Sequence, residues 1–267
     1  MKIITKILFC VTLVTPLISM NAYAQRSPVL AEQPESNGTL APRDAWGRAD
    51  LNGVWDKAIH QNTSAPIEPL PFTAEGLTAF NDVANLIDNT SRCVFPGVPR
   101  VNNSPYPFQI MVMEDRVIFY YEYMHNTRVI YTDGRGHRDI WAPSLMGDSI
   151  GRWEGDTLVI DTTKLTDRTW LDDHGNRHSD ELHVIERWAR VSANEIWYQA
   201  TIDDPKFYTE EWTTGYMIDI APDNWEIMEY ACTDNNRDQY DGLLSPGALD
   251  GSGRDGSALA TPSPVRQ

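Results

Sequence analysis

The sequence predicts an all-β fold, an antiparallel up-and-down barrel of about eight to ten strands with one short helix. Three observations carry this. Most of the chain between residues 45 and 240 alternates apolar and polar side chains at period two, or is rich in β-branched and aromatic residues. Short polar breaks separate those runs at spacings that suit hairpins rather than βαβ crossovers. Only one segment has a helical period, so a sheet of this size must close on itself to bury its apolar face and remove its free edges.

Residues 1–24 read as a secretory signal. Lys2 and Lys6 precede an apolar stretch from Ile7 to Met20, which ends in Ala22-Tyr23-Ala24, the small-x-small pattern that signal peptidase cleaves. That stretch falls short of the roughly 20 residues that span a bilayer, so the expected product is periplasmic or secreted, with no membrane insertion after cleavage. Residues 25–44 are polar and lack hydrophobic period, an extended lead-in to a barrel domain over 45–240. Residues 241–267 are rich in Gly, Ser, Pro, Ala and Asp without an aromatic, and are expected to be a disordered tail.

Within the domain Thr73 caps the helix, in which Leu77, Phe80, Ala84 and Ile87 recur at i, i+3, i+7 and i+10, and Glu75 complements the helix dipole. The strand runs are Phe108–Met113, Arg116–Met124, Arg128–Thr132, Thr157–Asp161, Glu181–Arg190, Glu195–Ile202, Glu211–Ile218 and Trp225–Cys232. Loss of the signal removes Cys10 and leaves Cys93 and Cys232. In an oxidising compartment that pair is expected to form a structural disulfide.

Composition narrows the function. With 38 acidic against 22 basic residues the net charge is -16, which repels polyanions and argues against nucleic acid as partner. Aromatic residues make up 10% of the chain, ample apolar surface for a core, which excludes disorder. There is no G-x-S-x-G elbow, no phosphate-binding loop and no dinucleotide fingerprint. No metal set and no organic cofactor is expected, since the histidines and acids from His174 to Glu186 fit no specific ligand spacing.

Gly53-x-Trp55 looks like the G-x-W that opens lipocalin-type barrels, where the Trp plugs one end. Longer strings occur with it: Cys93-Val94-Phe95-Pro96-Gly97-Val98-Pro99-Arg100, Tyr121-Glu122-Tyr123-Met124-His125, Gly151-Arg152-Trp153-Glu154-Gly155-Asp156-Thr157 and the run from His178 to Arg187. In this combination the chain resembles, over residues 50–240, a family of largely uncharacterised secreted bacterial proteins with a lipocalin-like barrel. The resemblance implies export and that barrel, and carries no mechanism.

Chemistry is therefore read from residues. In a strand beginning at Glu181, Leu182, Val184, Glu186 and Trp188 share one face, which sets Glu186 among apolar neighbours, a place where an acid must be paired, protonated or functional. Val117, Phe119, Tyr121, Tyr123 and His125 share a face of the strand at 116–124, with Glu122 on the other. His125 or His183 is the expected general acid/base, Tyr123 a second proton donor and Glu122 or Glu186 the orienting carboxylate. Arg128 is the expected anion anchor, with Tyr121, Trp170 and His178 completing the substrate-binding set. The expectation is an exported, cofactor-free barrel enzyme acting on a small, partly apolar or aromatic substrate in the lyase, isomerase or hydrolase range. A non-catalytic small-ligand-binding protein and a glycan-active protein are the alternatives, and oligomeric state is left open.

Overall fold

The computed structural model describes residues 40–57, 69–139 and 142–232; the expected signal, most of the lead-in and the tail lie outside them. The described strands are β1 (Gly53–Asp56), β2 (Phe108–Val112), β3 (Arg116–Tyr121), β4 (Asn126–Tyr131), β5 (Asp148–Glu154), β6 (Thr157–Thr163), β7 (His183–Arg190), β8 (Glu195–Asp203) and β9 (Trp212–Ile220). They form a closed barrel in chain order, with β9 returning to pair with β1. Among the described residues one α-helix, α1 (Ala74–Asn81), accompanies them.

The sheet is mixed rather than wholly antiparallel. β4 and β5 run parallel, joined at Tyr131 and Ile150. Strand count explains this, because an odd ring cannot alternate direction all the way round. One parallel step among the nine lets β9 close antiparallel on β1. The register sets the beginning of β5 beside Tyr131, the last residue of β4. Gly151 permits the close approach there, since a Cβ would lie 2.8 Å from Ile130 Cγ2 and 3.1 Å from Thr132 Cγ2.

Three segments depart from the sequence expectation. β3 stops at Tyr121, because Met124 (φ 56°) and His125 (φ 45°) adopt left-handed backbone and the chain turns directly into β4. The helix keeps its Thr73 cap, whose Oγ1 accepts from the Gly76 N–H at 3.0 Å, but ends at Asn81 instead of reaching Ile87. It docks through Gly76, where a Cβ would meet the Phe207 carbonyl oxygen at 2.1 Å, while Leu77 is exposed. Trp225–Cys232, expected as a strand, is a strap with no ladder. With β1 and β9 joined, no free sheet edge remains for it.

The barrel is filled. Phe108, Ile110, Phe119, Trp188 and Tyr198 are inward-facing and fully buried. Trp55 closes one end, its Nε1 donating to the Leu51 carbonyl at 2.9 Å and the Arg190 guanidinium lying 5.0 Å from its ring. Arg190 is held in turn by the Asp50 carbonyl at 2.5 Å.

The expected disulfide joins Cys93 to Cys232 across a sequence separation of 139 and ties the strap to the barrel mouth. Constraining so long a loop in the unfolded chain stabilises by about 2–4 kcal/mol. Urea unfolding of the Cys93→Ser, Cys232→Ser double variant is expected to show a loss of that size; an unchanged midpoint would mean the bridge constrains nothing.

Candidate functional site

A polar layer crosses the barrel interior, built from inward positions of six strands. Arg128 on β4 and Glu186 on β7, 3% and 0% exposed, form an ion pair through Arg128 Nη2 and Glu186 Oε2. The second oxygen, Glu186 Oε1, accepts from Asn102 Nδ2 at 2.6 Å and from the Tyr198 hydroxyl at 3.1 Å. Tyr121 on β3 donates to Asn102 Oδ1 at 2.7 Å. On the other side, Arg128 donates to Ser149 Oγ at 3.0 Å and Thr162 Oγ1 at 2.7 Å, from β5 and β6. Every strand from β3 to β8 thus contributes to one network, and Asn102, from the 3₁₀ turn Arg100–Asn103, caps it.

Two atoms of this layer are left over. Among the described residues, Arg128 Nη1 and the Tyr216 hydroxyl on β9 are buried and make no hydrogen bond. Burial, and then the charge of Glu186, push the Tyr198 and Tyr216 hydroxyls well above the ordinary tyrosine range, so both remain protonated donors. Burial likewise raises Tyr121.

Above the layer, at the mouth, lies a pocket of about 240 Å³ bounded by Tyr106, Tyr123 and Tyr230 with Arg100, Asn103 and Asp173. Tyr106 and Tyr123 stack with centroids 5.2 Å apart, and Tyr230 from the strap meets them edge-on at 5.0 and 5.2 Å. Burial raises the Tyr230 hydroxyl to about 12 and also raises Tyr123, so these two hydroxyls stay protonated at physiological pH. Arg100 is neutralised by a two-pronged contact with Asp88, at 3.0 and 2.5 Å.

The sequence-based candidates separate into three places. Tyr121, Arg128 and Glu186 meet in the polar layer, and Tyr123 lines the mouth pocket. Trp170 stands beside that pocket, with the Arg100 guanidinium 5.9 Å from its ring. His125 does not face the interior: it is exposed, with Nε2 3.0 Å from both the Met228 carbonyl and the Tyr230 N–H of the strap. Glu122 is buried and accepts the Met228 N–H at 2.9 Å, so it anchors the strap. His183 is on the outer wall, where Asp161 Oδ1 lies 2.9 Å from its Nε2 and 2.9 Å from His137 Nε2. The two proposed acid/base histidines share no contact, because the turn after Tyr121 breaks the alternation that placed His125 inward.

His178 is held within its loop. Its Nδ1 donates to the Ser179 carbonyl at 2.8 Å, and the Thr169 hydroxyl lies 2.8 Å from Nε2, a pair of contacts that suits the neutral ring. Burial lowers its pKa accordingly. Sequence reasoning did not single out Arg100, Asn102, Tyr106, Tyr230 or Lys57. For Lys57 a signal existed, since period two from the plug Trp55 points it inward; for Asn102, in an irregular turn, none did. Among the described residues no group of His, Cys, Asp and Glu is placed to hold a metal ion.

Two outcomes test this geometry. Glu186→Ala leaves the Arg128 charge buried and alone, and is expected to cost about 3–5 kcal/mol in chemical unfolding; Arg128→Met with Glu186→Leu should recover much of that loss. His178 bears on pH dependence. Its folded pKa is depressed, so the unfolded chain binds more protons, and the stability this residue provides is present above about 6.5 and lost as pH falls. Between pH 7.5 and 5.5 the wild type should therefore lose more unfolding free energy than His178→Gln, and equal losses would refute the assignment.

Against models of known protein families the chain matches none, and comparison with curated proteins finds no significant relative.

Proposed function

We propose that the protein is an exported, lipocalin-like small-ligand-binding barrel whose ligand, a small and partly aromatic molecule, seats at the mouth against Tyr106, Tyr123 and Tyr230. The observation that carries this reading is the tyrosine-walled pocket itself, about 240 Å³ and bordered by Arg100 and Asn103 of the turn whose Asn102 joins the buried polar layer. Its size suits one ring with short substituents, and aromatic rings stack on or meet edge-on with such a wall. Arg100, Asn103 and Asp173 supply polar groups to orient the ligand. Export is in keeping with the Cys93–Cys232 bridge and the basic-apolar-small pattern of the first 24 residues.

A second reading, a cofactor-free enzyme in the lyase, isomerase or hydrolase range, draws support from the polar layer. Protonated tyrosines beside a carboxylate and a guanidinium are groups able to move protons and to stabilise developing negative charge. In that reading Glu186, Tyr198 and Tyr216 take the roles first expected of His125 and His183.

Calorimetric titration with phenol, 4-hydroxybenzyl alcohol and 4-hydroxyacetophenone tests the binding reading. Saturable binding of at least one compound is expected, weakened at least about fivefold by Tyr106→Ala or Tyr123→Ala. Titrations that never saturate, or affinities indifferent to both substitutions, would remove the pocket from consideration.

A further inference from the structure

Lys57 lies just past β1, two residues after the plug Trp55, and is 6% exposed. The period of two that buries Trp55 points Lys57 inward as well. Its Nζ lies 4.9 Å from the centre of the Tyr216 ring, whose hydroxyl is the buried donor without a partner among the described residues. No hydrogen bond or ion pair joins Lys57 to a described residue; the charge that acts on it is Asp173, which lines the mouth pocket. The other two lysines beyond the expected signal are surface cations with carboxylate partners, Lys164 with Asp139 at 3.9 Å and Lys206 with Glu75 at 3.7 Å.

We infer that Lys57 is a nucleophilic amine that forms an imine with a carbonyl-bearing ligand, an aldehyde or ketone, delivered through the tyrosine pocket. This rests on the binding reading and deepens it by naming the ligand class. Burial disfavours the charged form of this amine and lowers its pKa against the opposing charge of Asp173, which raises the share of free base at neutral pH, while the Tyr216 ring face holds the amine in place. The step balances without any redox partner. The Nζ lone pair adds to the carbonyl carbon, and the proton released from nitrogen passes to the carbonyl oxygen to give a carbinolamine. The carbinolamine hydroxyl then leaves as water together with the second proton of the nitrogen, whose lone pair forms the carbon–nitrogen double bond. The Tyr216 hydroxyl, raised by burial and still protonated, is the positioning group for the carbonyl oxygen.

The test uses the full-length protein with 4-hydroxybenzaldehyde and sodium cyanoborohydride at pH 7, followed by peptide mass spectrometry. The hydride reduces any imine to a stable secondary amine, marking the lysine that formed it. Lys57 is expected to be modified at least about fivefold faster than Lys164 or Lys206, a comparison made inside one folded molecule that needs no variant. Lys57→Arg and Lys57→Met should each abolish the fast phase, and Tyr216→Phe should slow it. Equal labelling of the three lysines overturns the inference. Saturable phenol binding with no adduct at Lys57 overturns it too, while leaving the binding reading in place. Absence of phenol binding together with fast Lys57 labelling would instead overturn the tyrosine pocket and retain the reactive amine.

Discussion

The Arg128–Glu186 pair sets the terms for the rest of the barrel. Two charges removed from water cost less the more of their lone pairs and protons find partners, so the chain supplies hydroxyls and amides at that depth. It does so from several directions at once: Ser149 and Thr162 from β5 and β6, Tyr198 from β8 beside Glu186 and Asn102 from above. The last of these matters most for organisation. Asn102 draws the 3₁₀ turn Arg100–Asn103 over the end of the barrel, and that same turn places Arg100 and Asn103 in the wall of the mouth pocket. A single buried ion pair thereby fixes both the interior and the lip above it.

Ring closure is the second constraint. An odd number of strands forces a parallel step between β4 and β5, and His137, which follows β4, lies against the carboxylates of Asp148 and Asp161. His137 and His183 are thus engaged at Asp161 on the outer wall, and His178 within its own turn. Closure also consumes both sheet edges, which leaves the segment after β9 free to cross the mouth as a strap. Glu122, His125 and the disulfide hold that strap, and through it Tyr230 completes the aromatic wall.

The interior is correspondingly divided. Toward Trp55 it is a packed aromatic core in which Phe119 and Trp188 lie 4.8 Å apart; toward the mouth it turns polar and retains donors, Arg128 Nη1 and the Tyr216 hydroxyl, without a partner among the described residues. The buried ionisable groups at the polar end are therefore tyrosine, arginine and glutamate rather than imidazoles, a change from what residue types alone suggested.

Much of this was legible in the sequence, because period-two alternation is a local property written in neighbouring residues. It identified most of the strands, the inward face carrying Tyr121 and Glu186, the Thr73 cap and the cysteine pair. Side-chain direction beyond a strand end is not local. Two left-handed residues at Met124 and His125 turned His125 outward, and ring closure denied Trp225–Cys232 a partner, neither of which leaves a mark in hydrophobic pattern. Sequence by itself determined that these segments would form a curled sheet with an acid buried on its apolar face. Only the tertiary structure decided that Arg128 would meet that acid, that Asn102 would cap them and that Lys57 would face Tyr216, since each joins residues far apart in the chain whose meeting depends on register and closure.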